Sequence, residues 1–270
     1  MTKVDVWAQI LTDRMAEAPW LATLHRWARQ CASDFKTGVD GAMEAMDAAD
    51  MDIALLSAWY GPQGPLITNE EVARQVDAGP ERFRGLASAD IRKPGEAAKE
   101  IRRWIEGHGF VGVRIVPWLW DLPPNDRRYY PIYAVCAELG VPLCTQIGHT
   151  GPLQRSETGR PIPYLEDVLL EFPGLKVVGG HVGFPWIDEL VSLAVKFPDF
   201  YVDSSAYIAR RYPPAFVDFM KGPGRDRVMF GTNWPMLSPR QCLAGLDELD
   251  LDADVIDAFL GDTAKRVFKL

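Results

Sequence analysis

Short apolar runs rich in Val, Ile, Leu and Phe alternate with amphipathic segments along most of the chain. An apolar run bounded by turn residues is typical of a buried strand, and apolar positions that recur every three to four residues are typical of a helix. The pattern predicts eight strands, at 3–6, 53–58, 83–89, 110–116, 141–147, 177–180, 200–203 and 227–230. It predicts helices between them, at 41–49, 70–78, 94–106, 130–139, 162–172, 186–197, 212–221, 239–249 and 254–260.

This alternation predicts one α/β domain over residues 1–270, folded as a (β/α)8 TIM barrel. Residues 11–37 interrupt the alternation after the first strand, with helical pieces within 21–31, and we expect an insertion over one face of the barrel. A doubly wound open sheet is the alternative architecture. The chain lacks the glycine-rich phosphate-binding fingerprint of that fold, so the barrel is the simpler prediction.

Composition narrows the range of partners. The chain is 47% hydrophobic and 24% charged, with a formal net charge of -8 and no run of Lys or Arg. This balance argues against binding to nucleic acid or to an anionic membrane, and it leaves a small molecule as the expected partner. The first residues lack a signal-peptide pattern, and the four cysteines are scattered, so we expect free thiols in the cytoplasm.

Polar and aromatic side chains stand where the predicted strands end. In a barrel these carboxyl ends meet at one face, and active sites lie there. His181, which follows two valines and two glycines, is the residue on which this prediction centres. The predicted catalytic residues are His181, His149, Gln9, Gln146 and Asn233. The predicted substrate-binding residues are Trp7, Trp59, Tyr60, Arg114, Trp118, Trp120, Tyr207 and Trp234.

Each residue type suggests a role. A histidine near neutral pH serves as a general acid or base, and side-chain amides donate hydrogen bonds to a carbonyl or a developing oxyanion. Arg114 is predicted to clamp a carboxylate, and the tryptophans and tyrosines to pack against a planar substrate.

The order of these features resembles the amidohydrolase superfamily. It is most similar to the branch that contains aminocarboxymuconate-semialdehyde decarboxylase, resorcylate-type decarboxylases and lactone hydrolases. The resemblance runs over nearly the whole chain. The motifs that carry it are Gly180-His181-Val182-Gly183 on strand six, Phe230-Gly231-Thr232-Asn233-Trp234-Pro235 on strand eight, Phe110-Val111-Gly112-Val113-Arg114-Ile115, and Met46-Asp47-Ala48-Ala49-Asp50-Met51-Asp52.

The chain departs from the family at the metal-ligand positions that the resemblance implies. The strand-one motif Asp-x-His-x-His becomes Asp5-Val6-Trp7-Ala8-Gln9, Gln146 stands near the strand-five histidine, and Asn233 replaces the strand-eight aspartate. Only His181 keeps its family position. Neutral amides are weak zinc ligands, so we predict no catalytic metal and no cofactor. A metal held by His149, His181 and Asp203 is the alternative.

These residues and the resemblance leave three functions open. The leading prediction is a metal-independent hydrolase of a small carbonyl compound derived from an aromatic ring, either a lactone or a β-keto compound cleaved at a carbon–carbon bond. The first alternative is a non-oxidative decarboxylase of an aromatic or muconate-type carboxylate. The second is a barrel that binds a ligand without turnover. The resemblance also implies a homodimer.

Overall fold

A sheet of eight parallel strands lies at the centre of the molecule, in a computed structural model that describes residues 1–28, 35 and 37–270. The ten strands of the described residues are β1 Val4–Ala8, β2 Ile53–Ser57, β3 Trp59–Gly61, β4 Gly64–Ile67, β5 Phe83–Ala87, β6 Gly112–Ile115, β7 Leu143–Gln146, β8 Val177–Gly180, β9 Phe200–Asp203 and β10 Val228–Met229. The order of the strands in the central sheet is β1-β2-β5-β6-β7-β8-β9-β10.

The first and last strands of this sheet meet and close the barrel. The amide of Val6 donates to the carbonyl of Phe230 at 3.0 Å, and Ala8 forms a parallel bridge with Trp234. The predicted (β/α)8 barrel is therefore confirmed.

Helices connect successive strands. Those of the described residues are α1 Asp13–Ala16, α2 Ala22–Ala28, α3 Gly38–Asp47, α4 Asn69–Asp77, α5 Pro94–His108, α6 Pro117–Trp120, α7 Tyr130–Leu139, α8 Tyr164–Glu171, α9 Ile187–Lys196, α10 Pro214–Lys221, α11 Pro239–Cys242, α12 Ala253–Asp257 and α13 Thr263–Phe268. Local chemistry sets several ends. Thr68 and Glu71 form a capping box at the start of α4, and Gly140 ends α7 in the left-handed region.

Four regions differ from the pattern-based prediction. β3 and β4 form an antiparallel hairpin at 59–67, where the pattern predicts neither strand nor helix, because strands this short show no clear alternation. The segment 117–120 is helical. The predicted helix 239–249 is shorter, and α13 follows a π-helical turn at Ala258–Asp262.

Two apolar clusters hold the barrel together. The larger joins the outer faces of the strands to the surrounding helices. The smaller takes buried residues from every barrel strand except β6, which places it inside the barrel, and α13 adds Val267 and Phe268 to it. The barrel interior below the site is therefore a packed core rather than a channel.

Residues 12–28 of the predicted insertion contain α1, a short 3-10 turn at Pro19–Leu21, and α2. The rest of the predicted helical piece at 21–31 lies outside the described residues. Cys136, Cys144 and Cys242 are buried free thiols, whereas Cys31 also falls outside that part of the chain. No helix among the residues described is both long and apolar enough to cross a bilayer.

Candidate active site

A cavity of about 650 Å³ opens at the carboxyl ends of the barrel strands. Of the predicted site residues, the structure brings eight to its wall: Gln9, Trp59, Trp118, Gln146, His149, His181, Tyr207 and Asn233. They come from the ends of seven different barrel strands or the loops that follow them. Residues distant in sequence therefore meet at one place, as barrel strand ends do.

The five remaining predicted residues, Trp7, Arg114, Tyr60, Trp120 and Trp234, are not in the cavity wall. Trp7 and Arg114 are both 0% exposed, and the Arg114 guanidinium carbon lies 3.6 Å from the centre of the Trp7 ring. Arg114 donates to Ser57 Oγ at 2.8 Å and to the Val6 carbonyl at 3.0 Å. Because β6 directs this side chain into the barrel below the cavity, it is not placed to clamp a substrate carboxylate.

The inner end of the cavity, its floor, is formed by Gln9, Gln146, His181 and Asn233. The side-chain amides of this floor mostly bond to the protein itself. Gln9 Nε2 donates to Asn233 Oδ1 at 3.1 Å and to the Trp234 carbonyl. Gln146 Nε2 donates to the His149 carbonyl at 3.1 Å, and Gln146 Oε1 accepts from Trp118 Nε1 at 2.7 Å. The predicted oxyanion role therefore does not suit Gln9, whose two N–H groups are both used, whereas Gln146 Nε2 keeps one N–H without an acceptor among the described residues.

Two atoms of the Gln9–Asn233 pair keep hydrogen-bonding capacity for a ligand. Among the described residues, the Asn233 Nδ2 amide has no acceptor and Gln9 Oε1 has no donor. The orientation of Gln9 is fixed by chemistry, because both partners of its Nε2 are acceptors. A buried polar group without a partner is costly, so both groups favour a polar ligand.

His181 is the first member of a buried hydrogen-bonded chain. Its Nδ1 lies 2.6 Å from Ser205 Oγ, and the Ser205 hydroxyl donates to Asp203 Oδ1. The Ser205 amide also donates to Asp203 Oδ1 at 2.9 Å. Because the serine proton points to the carboxylate, His181 Nδ1 carries the proton of the imidazole. Its Nε2 lone pair is then available to a ligand.

Burial sets the protonation of this chain. It lowers the pKa of His181 to about 3, with smaller effects from the charges of Arg114 and His149. Burial raises the pKa of Asp203 to about 6, although its bonds from Ser205 and the charge of Arg114 lower it. At neutral pH His181 is therefore neutral and Asp203 is mostly ionised.

The backbone is strained around the same groups. His181, Val182, Ala206 and Asn233 have φ angles of 74°, 61°, 65° and 67°. This left-handed region is unfavourable for residues other than Gly, Asn and Asp, and most of all for a β-branched residue such as Val182. Strain of this kind, of the order of 1–3 kcal/mol per residue, concentrates at functional sites.

His149 stands higher in the cavity than His181. It is exposed, and its ring stacks on Trp27 with centroids 5.9 Å apart. Its amide donates to the Phe184 carbonyl at 2.6 Å, which joins the loops after β7 and β8. Gly148, with a φ of 89°, permits this approach, because a Cβ there would lie 2.6 Å from the same carbonyl oxygen.

The sequence reasoning missed most of the outer wall. The additional wall residues are Met15, Trp20, Leu21, Leu24, Trp27, Gly151, Pro152, Phe184, Ala206, Ile208, Arg211, Pro213, Met236 and Leu237. The ring of Trp20 packs edge-on against Trp118, 5.1 Å away, and parallel to Trp59, 6.4 Å away. The apolar residues of 15–27 were the available signal, because an insertion rich in tryptophan and leucine must cover something apolar.

The sequence profile of the amidohydrolase family matches residues 18–270. Gamma-resorcylate decarboxylase of Rhodococcus jostii is 26% identical over 62% of this chain and 64% of that protein. The chain thus matches somewhat less than two thirds of the length of this curated relative.

Solved structures share the fold. An uncharacterised TIM-barrel protein from Bordetella bronchiseptica superposes with a TM-score of 0.84 at 22% identity, over 100% of this chain and 99% of that one. A 5-carboxyvanillate decarboxylase from Novosphingobium aromaticivorans, with bound manganese and a nitrobenzoic acid, gives 0.73 at 18% identity over 100% and 96%.

These relatives correct one prediction and confirm another. The resemblance to the resorcylate-type branch is confirmed. The prediction of a hydrolase is wrong, because the curated relatives and the neighbours with a named reaction are decarboxylases, which are lyases.

The side chains present do not fit a divalent metal such as the neighbour's manganese. Among the described residues there is no group of three or more His, Cys, Asp or Glu able to hold a metal ion, so His149, His181 and Asp203 do not form the alternative site. The Trp7 ring lies 4.8 Å from the His181 ring and rests on the Arg114 guanidinium. A dication beside His181 would therefore face a buried positive charge with too few ligands.

Proposed function

Because this chain belongs to the amidohydrolase family, we propose that its cavity removes the carboxyl group of an aromatic acid as CO2, without oxidation. The related proteins named above act on carboxylated phenols, which supports a substrate with a hydroxyl group on the ring. The aromatic wall suits a planar ring, and the polar floor suits its hydroxyl.

The observation that carries the proposal is the hydrogen-bonded chain that runs from His181, in the cavity wall, through the buried Ser205 to the buried Asp203. It holds the imidazole with Nδ1 protonated and Nε2 open to a ligand. Loss of CO2 from a ring requires that a proton replace the carboxylate on the same carbon. A neutral imidazole at that place takes up and returns one proton.

The reaction then needs only the substrate and this chain's residues. The phenol proton passes to His181 Nε2, and the proton on Nε2 then adds to the ring carbon that bears the carboxylate. The bond from that carbon to the carboxylate breaks, its electron pair returns to the ring, and CO2 leaves. The phenolate that remains takes a proton from water.

The surroundings act on each proton transfer. As Nε2 gains a proton, Asp203 stabilises the imidazolium through the Ser205 hydroxyl. The low pKa of His181 opposes uptake of the phenol proton, which the stabilisation by Asp203 offsets, and it makes the imidazolium a strong acid toward the ring carbon. Asn233 Nδ2 donates to the phenolate oxygen, in the role that sequence reasoning gave to all three amides. We assign His149, near the solvent, to proton exchange with water.

A direct experiment tests this function. The purified protein is incubated with a panel of hydroxylated aromatic acids, and products are followed by mass spectrometry and CO2 release. The expected result is one CO2 for each acid consumed, with no added metal. Addition of water to the substrate would contradict the proposal, and binding without any CO2 would favour a barrel that only binds its ligand.

The broader predictions also remain proposals. We propose one domain over residues 1–270, a cytoplasmic location, and a homodimer. Sedimentation of the purified chain tests the dimer, and a single cooperative unfolding transition tests the single domain.

A further inference from the structure

One charged side chain in the cavity wall takes no part in the proposed chemistry. Among the described residues that line the wall, Arg211 is the only Lys or Arg, and none of them is Asp or Glu. The side chain is exposed, and within the described part of the chain no carboxylate pairs with it. Its positive charge is therefore uncompensated at the mouth.

The backbone holds Arg211 in place. It ends the 3-10 turn Ala209–Arg211, and its amide donates to the Ile208 carbonyl at 2.8 Å. The Arg210 amide donates to the Ala244 carbonyl at 3.1 Å, and Gly245 packs closely against the Arg210 side chain. Tyr212 is buried on the other side. The guanidinium therefore extends from a fixed base, which reduces the entropy lost on binding.

The size of the cavity separates Arg211 from the floor. A cavity of about 150 Å³ is enough for benzene, and this one is about four times larger. The polar floor residues Gln9 and His181 are 1% and 8% exposed, whereas Arg211 is at the open end. A single ring at the floor would leave the space below Arg211 unfilled.

Arg211 is also poorly suited to the carboxylate that is lost. That group is an anion in the substrate and neutral CO2 in the product, so a guanidinium on it would stabilise the substrate more than the transition state. A cation that binds an anionic group whose charge does not change during the reaction stabilises the substrate and the transition state alike.

We propose that Arg211 selects an aromatic substrate longer than one ring, by binding a second anionic group at the mouth while the reacting ring lies at the floor. This proposal rests on the proposed function only for the reaction of the ring at the floor of the cavity. Binding at the mouth is measured separately, with an acid that has no hydroxyl group and does not react.

The test compares R211Q with R210Q, a matched control that removes the same charge from the adjacent exposed residue outside the wall. The probes are biphenyl-4-carboxylate, its neutral carboxamide, and benzoate, with binding followed by tryptophan fluorescence. The parent protein should bind the biphenyl acid roughly tenfold more tightly than the amide or benzoate, and more weakly at high salt.

R211Q should weaken binding of the biphenyl acid by roughly tenfold and remove the salt dependence of that binding, and it should leave binding of the carboxamide unchanged. R210Q should bind both compounds as the parent protein does. Equal effects of the two variants, or equal affinity for acid and amide, would overturn the proposal. Thermal melts establish that both variants fold. If these binding results hold but no acid releases CO2, the proposed function fails and the role of Arg211 stands.

Discussion

The floor and the outer wall of the cavity are built on different principles. The floor consists of buried residues at strand ends, joined by hydrogen bonds and held in strained backbone, with His181 and Asn233 at its centre. The outer wall consists of apolar side chains on connecting segments, and its rim is open, with Trp27 58% and Phe184 48% exposed. A fixed floor suits chemistry, and a wall on loops suits changes of substrate.

Removing the imidazole from the floor should have the largest effect. We expect H181N to lower kcat by roughly 10²- to 10⁴-fold, because it removes the group that carries the proton. His108, exposed at the end of α5 and absent from the wall, provides the control H108N, which should keep the parent rate. Retention of more than about a tenth of kcat by H181N would show that another residue transfers the proton.

Removing the middle member of the hydrogen-bonded chain from His181 to Asp203 should have a smaller effect on kcat. S205A breaks the link between His181 and Asp203, and we expect kcat to fall roughly tenfold, the value of about one hydrogen bond. The control is S204A, since Ser204 is equally buried but its hydroxyl accepts from the Gly231 amide, at 3.4 Å, and lies beside Tyr212 rather than between His181 and Asp203. If S204A and S205A lower kcat equally, the loss comes from packing rather than from the broken hydrogen bonds between His181 and Asp203.

The dependence of kcat on pH, on the acid side, separates the floor of the cavity from its outer wall. The pKa of Asp203 is raised to about 6, and the carboxylate must be ionised to stabilise the imidazolium, so kcat should rise as pH increases through about 6. His181, with its pKa lowered to about 3, stays neutral over this range and adds no inflection. S205A should flatten the rise, and R211Q should leave its midpoint unchanged. A profile that falls between pH 5 and 7 would contradict this assignment.

The smallest predicted effect lies where wall and floor meet. W118F removes the donor to Gln146 Oε1 and should lower the free energy of unfolding by about 1 kcal/mol more than W59F. Trp59 is the matched control, because it lines the same cavity and its Nε1 has no partner among the described residues. Equal destabilisation in urea unfolding would show that the bond contributes nothing.

The same contrast explains what the sequence could predict. Gln9, Gln146, His181 and Asn233 line one cavity, a placement that sequence can indicate because parallel strands end at one face whatever their side chains are. Arg114 was misplaced because both faces of a barrel strand are buried, so its apolar pattern does not tell which residues point inward.

Other features depend on contacts that no sequence pattern encodes. The link from His181 to Asp203 requires Ser205, which is held in place by the bond from its own amide to Asp203. Arg211 reaches the cavity through a loop that packs on Gly245, far away in sequence. The contribution of Trp27 depends on how the insertion folds over the barrel, which propensity alone does not determine.

The most direct test of the account is the site of hydrogen incorporation during turnover in D2O. A reactive hydroxylated aromatic acid is converted by the parent protein, and the product is analysed by NMR. Decarboxylation with proton return from His181 predicts one deuterium at the carbon that carried the carboxylate, matched by one CO2 released. A product that keeps every carboxyl group, or that gains the elements of water, would contradict it.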